Sequence, residues 1–224
     1  MFIKEFSSQT FSSDAASAPE GKFNDTAALG FNWRPGSDPV AYNINKCLID
    51  GSGCSEGLKF SFCNNVNVSQ TRIIGGREDC VDIVRGGNIV FEDCEFISSN
   101  TRQHVTIKGG AKNISFINCR FINSYSCWWD GACIDLGNWT DYDDVPRPYV
   151  KNITIENCSM LNVRRGLLAR VLYSERPKII NSPGRVLKVP SLAVALFWLA
   201  QRKGLLGQRR RFPSELLKVY DIEL

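Results

Sequence analysis

Asn88-Ile89-Val90-Phe91-Glu92-Asp93-Cys94-Glu95-Phe96-Ile97 returns without gaps as Asn113-Ile114-Ser115-Phe116-Ile117-Asn118-Cys119-Arg120-Phe121-Ile122, and again as Asn152-Ile153-Thr154-Ile155-Glu156-Asn157-Cys158-Ser159-Met160-Leu161. The copies share Asn at the first place, Ile at the second, Phe or Ile at the fourth, Asp or Asn at the sixth and Cys at the seventh, with apolar residues closing the segment. A weaker copy starts at Asn65, where Val66, Val68 and Ile73 take the apolar places. The copies begin 23, 25 and 39 residues apart, and the extra length of the last interval falls between Asn138 and Val150.

A second short apolar segment precedes each copy: Leu58 to Phe62, Val81 to Val84, Val105 to Lys108 and Ile134 to Leu136. A further one, Leu167 to Ala169, leads toward Lys178 to Asn181. Each alternates with period two, so every second residue faces one side. Gly and Asn lie between the segments, where turns need positive φ. Short strands, two or three per 22–25-residue period, describe one coil of a parallel β-helix. A single coil cannot bury its own apolar face; stacking at ~4.8 Å per coil buries it against the next. A leucine-rich repeat of similar period requires an L-x-x-L-x-L-x-x-N frame, which these copies lack. The Asp93/Asn118/Asn157 place is expected to form a hydrogen-bonded ladder along the axis. Cys94, Cys119 and Cys158 are expected to stack inward as small buried residues rather than as disulfides.

Composition limits the chemistry. The 224 residues are 43% hydrophobic and 22% charged, enough to build a core. One histidine, His104, excludes any site that needs two imidazoles. Nine cysteines with no C-x-x-C pair argue against a zinc ribbon or a thioredoxin-type centre, and no metal or cofactor is expected. The start, Met1 to Ser8, has no apolar core of a secretion signal, so synthesis in the cytoplasm with reduced thiols is expected. Six Asn-x-Ser/Thr sequons, at Asn24, Asn67, Asn113, Asn138, Asn152 and Asn157, then read as structural asparagines. Net charge is +4, but residues 164–211 carry twelve Lys/Arg against one acid, Glu175, leaving −7 on the remainder.

With Cys47-Leu48-Ile49-Asp50-Gly51-Ser52-Gly53 and Asp79-Cys80-Val81-Asp82-Ile83 ahead of the repeats, the chain resembles the pectin-lyase-like right-handed parallel β-helix superfamily, most closely its polygalacturonase-type branch. The resemblance covers roughly residues 44–182. It implies an all-β fold: a right-handed parallel β-helix of about six coils over residues 44–182, an extended N-terminal arm over 1–43, and a short helical C-terminal appendage over 183–224. The resemblance also places the family's catalytic steps. Its N-T-D step falls on Arg77-Glu78-Asp79, its paired aspartates near Arg102-Gln103, its G-H-G near Gly131-Ala132-Cys133 and its R-x-K near Leu168-Ala169-Arg170. Of that set only Asp79 matches. Glycoside hydrolysis needs two carboxylates flanking the bond, so no catalytic set is expected; the groups left to consider are Asp79, Asp82 and His104.

Two further segments attract attention. The loop from Asn138 to Pro148, with Trp128, Trp129, Asp130, Trp139, Asp141, Tyr142, Asp143 and Asp144, joins aromatic faces to carboxylates, a combination suited to stacking on sugars. The tail runs from Ser191 to Ala200 as an apolar helix, followed by Arg202-Lys203, Arg209-Arg210-Arg211 and a second short helix near Ser214 to Tyr220. Its nine-residue apolar run is too short to span a membrane. Leu192, Leu196, Phe197, Trp198, Leu199, Arg209, Arg210 and Arg211 are expected to form an interface with other protein subunits, either copies of this chain or different proteins. The basic run lacks the aromatic interleaving of a nucleic-acid site. The N-terminal aromatics Phe2, Phe6, Phe11, Phe23, Phe31 and Trp33 read as anchors onto another surface. Together these features give a non-catalytic structural or binding module, such as a phage head-decoration or tailspike-like virion surface protein, with polysaccharide as a possible ligand. The alternative is a secreted polysaccharide-degrading glycosidase or lyase.

Overall fold

The computed structural model describes residues 2–12, 27–32, 39–98, 103–124, 133–138, 149–163, 167–170, 174–175, 177–182, 186–189 and 218–220. Its strands follow one another in threes. The first coil is β1 (Phe2–Ser7), β2 (Thr10–Phe11) and β3 (Ala27–Asn32); the second is β4 (Val40–Asn45), β5 (Leu48–Asp50) and β6 (Glu56–Ser61). The third is β7 (Asn64–Ser69), β8 (Arg72–Ile74) and β9 (Asp79–Val84); the fourth is β10 (Gly87–Glu92), β11 (Glu95–Ile97) and β12 (Gln103–Lys108). The fifth is β13 (Lys112–Ile117), β14 (Arg120–Ser124) and β15 (Ile134–Asn138); the sixth is β16 (Lys151–Glu156), β17 (Ser159–Val163) and β18 (Leu167–Arg170). β19 (Lys178–Ile180) and β20 (Val186–Val189) start another, and β21 (Lys218–Tyr220) lies antiparallel to β20.

Corresponding strands of successive coils pair in parallel, giving three sheets. Sheet A holds the first strand of each coil, sheet B the second and sheet C the third. The all-β parallel solenoid expected from the repeat is therefore present. Register puts equivalent repeat residues in line: Val66, Ile89, Ile114 and Ile153 form one column of sheet A, and Val68, Phe91, Phe116 and Ile155 the next. Sheet B contributes Ile49, Ile73, Phe96 and Phe121. Sheet C contributes Phe60, Ile83, Ile107 and Leu136. All of these are buried. Identical residues one coil apart let rings stack: Phe91 on Phe116 at 5.1 Å and 4°, Phe96 on Phe121 at 4.8 Å and 8°.

The turn from sheet A to sheet B explains the Asp/Asn–Cys step of the repeat. Ser8, Lys46, Gln70, Asp93, Asn118, Asn157 and Asn181 occupy one place in successive coils, all with φ between 46° and 54°. Asn and Asp tolerate that left-handed conformation better than other non-glycine residues. From Lys46 on, the next residue is buried, whereas Gln9 after Ser8 is exposed. Cys94 Sγ donates to Glu92 O at 3.3 Å and Val68 O at 3.4 Å, and Cys119 and Cys158 repeat the pattern. Thr71 and Ser182 stand in the same column and donate to the carbonyl two residues back, at 2.8 and 2.9 Å. The position thus selects a small side chain with one donor, which thiol and hydroxyl both supply. None of the eight cysteines among the described residues is in a disulfide.

Four expectations change. The hydrogen-bonded side-chain ladder runs through the first residue of the repeat, not through Asp93, Asn118 and Asn157. Asn88 Nδ2 donates to Asn65 Oδ1 at 3.2 Å, Asn113 to Asn88 at 2.9 Å and Asn152 to Asn113 at 2.9 Å. These four also have positive φ, which presents their amides along the axis. Second, residues 2–11 and 27–32 are no loose arm but a coil of the solenoid. Phe6 and Phe31 meet at 5.4 Å, and Phe31 stacks on Phe60 at 5.7 Å and 12°. Phe6, Phe11 and Phe31 pack against the core, whereas Phe2 is exposed and Phe23 and Trp33 lie outside the described residues. The 38 residues from Phe2 to its partner Val40 stretch the period and hide the repeat. Third, sheet C continues past residue 182 into β20. Fourth, Lys218–Tyr220 is a strand rather than part of a helix, because the last edge of sheet C offers unpaired backbone groups to it. The expected helix from Ser191 to Ala200 lies outside the described residues. Among the described residues no helix is long and apolar enough to cross a membrane.

The columns make the core intolerant of charge and of voids. Ile114→Asp is expected to prevent folding, since its column offers the carboxylate no partner. Phe116→Ala should lower stability by about 3–5 kcal/mol, through a cavity beside Phe91, Phe96 and Phe121. Urea unfolding followed by circular dichroism measures both; an Ile114→Asp protein as stable as the parent would show that this face is not the core.

Candidate functional site

Sheet C differs from the other two sheets in having both faces buried. Its strands read Glu-Gly-Leu-Lys-Phe-Ser, Asp-Cys-Val-Asp-Ile-Val and Gln-His-Val-Thr-Ile-Lys, and nearly every residue is buried. Leu58 and Phe60, Val81 and Ile83, Val105 and Ile107 point to the core. Alternation therefore sends Lys59, Asp82 and Thr106 outward, and register aligns them with Asp135 in one row. Glu56, Asp79 and Gln103 make a second row.

Between these rows the pairing passes over Gly57, Cys80 and His104, one residue in each coil. Asp79 and Asp82 are three apart, and strict alternation would set them on opposite faces. The unpaired residue between Asp79 and Val81 resets the alternation and brings both carboxylates to the outer face. The skipped residues turn toward the corner with sheet B, where they meet the carbonyls of Ile74, Ile97 and Ile122. A Cβ on Gly57 would lie 2.7 Å from Ile74 O, so only glycine fits. Cys80 Sγ donates to Ile97 O at 3.4 Å. His104 Nε2 donates to Ile122 O at 2.8 Å, and its ring stands edge-on to Phe121 at 5.9 Å. His104 therefore does one coil later what Cys80 does. It is a core residue held neutral by burial, with a pKa lowered to about 4 despite the opposing Ile122 contact.

The outer face holds a compact ionic cluster. Asp82 lies between two ammonium groups, Lys59 Nζ at 3.1 Å from Oδ2 and Lys108 Nζ at 3.1 Å from Oδ1. Lys59 also approaches Glu56 Oε1 at 3.7 Å. Burial pushes the Asp82 carboxyl up, but Lys108 and Lys59 outweigh it and hold the group below the usual carboxylate range. Asp79 goes the other way. Burial raises it well above that range, the Asp82 and Glu56 charges add to the shift, and Lys108 only partly opposes them. Asp79 Oδ1 has no hydrogen-bond partner among the described residues. Lys108, pushed down by burial, is raised overall by Asp82 and Asp79 and stays charged. Asp135, in the next coil, accepts from Gln103 Nε2 at 3.3 Å. Chemically, the face sets a carboxyl of raised proton affinity beside a doubly paired carboxyl of lowered proton affinity.

The structure thus brings together Asp79 and Asp82, and separates His104 from them. Lys108, on the strand that carries His104, pairs with Asp82. Gln103, at the place of a family aspartate, supports Asp135. Sequence reading missed Glu56, Lys59, Thr106 and Asp135 as members of the cluster; the signal was a polar residue at the outward place of each third strand. Trp128, Trp129, Asp130, Trp139, Asp141, Tyr142, Asp143 and Asp144 lie outside the described residues, although in the chain they directly precede and follow β15, which carries Asp135. Leu192, Leu196, Phe197, Trp198, Leu199, Arg209, Arg210 and Arg211 also lie outside them. Comparison of the chain with protein-family models, with curated proteins and with solved structures finds no match.

His104 gives the fold a defined acid sensitivity. Its folded pKa lies below the unfolded value of about 6.5, so the unfolded chain binds the extra proton first. Its contribution is complete above that value and disappears as pH falls from about 6.5 to 4, roughly 3 kcal/mol in all. His104→Cys, which copies the Cys80 arrangement, should remove that slope whatever constant offset the smaller side chain adds. Urea midpoints across this pH range measure it, and an unchanged slope would place the acid sensitivity elsewhere.

Proposed function

We propose that the chain is a non-catalytic structural module of a larger assembly, of the kind that virion surface proteins build from parallel solenoids. The observation that carries this reading is closure of the polar face of sheet C. Glu56, Asp82 and Thr106 are each 1% exposed, and Lys59 and Lys108 form ion pairs with the carboxylates there. A polymer-cleaving solenoid needs its carboxylates open to a chain lying across the coils; here they form an internal brace linking β6, β9 and β12. The Phe stacks, Asn ladder and thiol–hydroxyl column support the same reading, since they tie successive coils together. Partners would be other protein subunits meeting the apolar and basic C-terminal segment, and a polysaccharide could engage the aromatic loops around β15.

One observation favours a second reading, a sugar-cleaving glycosidase or lyase. Asp79 and Asp82 have their proton affinities driven apart, as an acid and its charged neighbour would. Purified protein incubated with polygalacturonate and a panel of acidic and neutral polysaccharides separates the two. The expected result is no release of reducing ends or unsaturated sugars, with or without binding on an oligosaccharide array. Turnover that disappears in Asp79→Asn would overturn the structural reading in favour of the enzyme.

A further inference from the structure

The outer face of sheet A carries a groove of about 530 Å³ beside the turn into sheet B. Register builds it from two outward rows: Glu5, Asn43 and Asn67 lie in line, and Ser69 meets Glu92 in the next row. Gln70 and Asp93, left-handed residues of the turn, complete the lining. Glu5, Glu92 and Asp93 are exposed and make no ion pair among the described residues. The side-chain amides of Asn43, Asn67 and Gln70 make no hydrogen bond there either. No Lys or Arg lines the groove; Lys46 stands beside Gln70 in the turn column, outside it. Outward acids elsewhere have matched neighbours, Glu95 between Arg72 and Arg120 on sheet B and Asp82 between Lys59 and Lys108 on sheet C. Unmatched like charges on one sheet face repel, so the groove is costly when bare and suited to a cation.

We propose that this groove docks the basic segment of a second copy of the chain, Arg202-Lys203 and Arg209-Arg210-Arg211, in a head-to-tail contact. The proposal rests on the assembly reading above, which makes that segment an interface, and names the surface it meets. Residues 164–211 carry twelve Lys/Arg against one acid, so the segment has few anionic partners of its own. Guanidinium groups meet carboxylates through paired hydrogen bonds, and amide oxygens between the acids accept from the remaining N–H groups. The same chain does not fill its own groove. Lys218, seven residues after Arg211, pairs with Lys188 at the last edge of sheet C. Seven extended residues reach at most about 25 Å. Glu5 lies six coil steps from that edge, roughly 29 Å along the axis alone and on another sheet. A contact between the first coils of one copy and the basic segment of the next uses two different surfaces, so it leaves one of each free and propagates.

Sedimentation velocity of the full-length chain over a concentration series tests it. The parent should self-associate at low salt and dissociate as salt screens the contact. A groove variant, Glu5→Gln with Glu92→Gln and Asp93→Asn, should weaken association about threefold to a hundredfold, and so should a segment variant, Arg209→Gln with Arg210→Gln and Arg211→Gln. Mixed, the two variants should pair with the parent's affinity and stop at a one-to-one dimer, because one intact groove then meets one intact segment. A parent that stays monomeric at low salt, or a mixture no tighter than either variant alone, would overturn the proposal. Loss of association in the segment variant but not in the groove variant also overturns it, while leaving the assembly reading in place; polysaccharide turnover is the separate result that removes that reading. A groove variant that still associates but is no longer retained on a neutral oligosaccharide matrix would give the groove to a sugar instead. Should the triple groove variant not fold, Asp93→Asn, which copies Asn118 and Asn157, enters the same mixing test, and an association equal to the parent's overturns the proposal.

Discussion

Parallel pairing in register between coils is the constraint on which everything else in this protein rests. A strand in a solenoid has a neighbour above and below at ~4.8 Å, so each side chain meets the residue at the same place in the next coil. The sequence must then suit itself, place by place. Phe meets Phe in near-parallel stacks, Asn donates to Asn, and on sheet B Arg72 and Arg120 flank Glu95 at 2.9 and 2.7 Å. Like charges at one place would repel down the whole axis, and the Arg–Glu–Arg alternation avoids that.

The same constraint governs the corners. From the second coil on, each passage from sheet A to sheet B uses one left-handed residue and then one small inward donor. Cys, Thr and Ser exchange freely in that second place because the carbonyl two residues back asks only for a hydrogen. The corner between sheets B and C uses a comparable device, with Gly57, Cys80 and His104 fitted in turn against the Ile74, Ile97 and Ile122 carbonyls. A lone histidine in such a chain invites a catalytic reading; its column shows it to be a larger version of the cysteine before it.

Sheet C departs from the pattern of its neighbours because its outer places alternate in charge where sheet A presents exposed Asn and Ser. Lys59 meets Asp82 at one place, and Lys108, two places further along the next strand, reaches back to the same carboxylate, which offsets the cost of burying it. Desolvating ions is costly unless they are paired, so the arrangement is stable only with its charges balanced.

The repeat by itself determined the parallel solenoid, its inward columns and the inward cysteines, since a 23–25-residue period with Ile and Phe in fixed places has few other ways to bury them. The first coil escaped notice because Phe6, Phe11 and Phe31 are separated by long connections, and only packing against Phe60 and Tyr42 shows them to be core. The axial Asn ladder was visible as a repeated letter, but which Asn carried it depended on the direction its backbone dihedrals gave the amide. Asp79 and Asp82 were legible as carboxylates, and their meeting on one face was not. That rests on the residue skipped between the rows, a shift in pairing that leaves no mark in composition or period. Their opposite proton affinities are likewise a tertiary property, because Lys59 and Lys108 arrive from the coils before and after and choose Asp82 over Asp79.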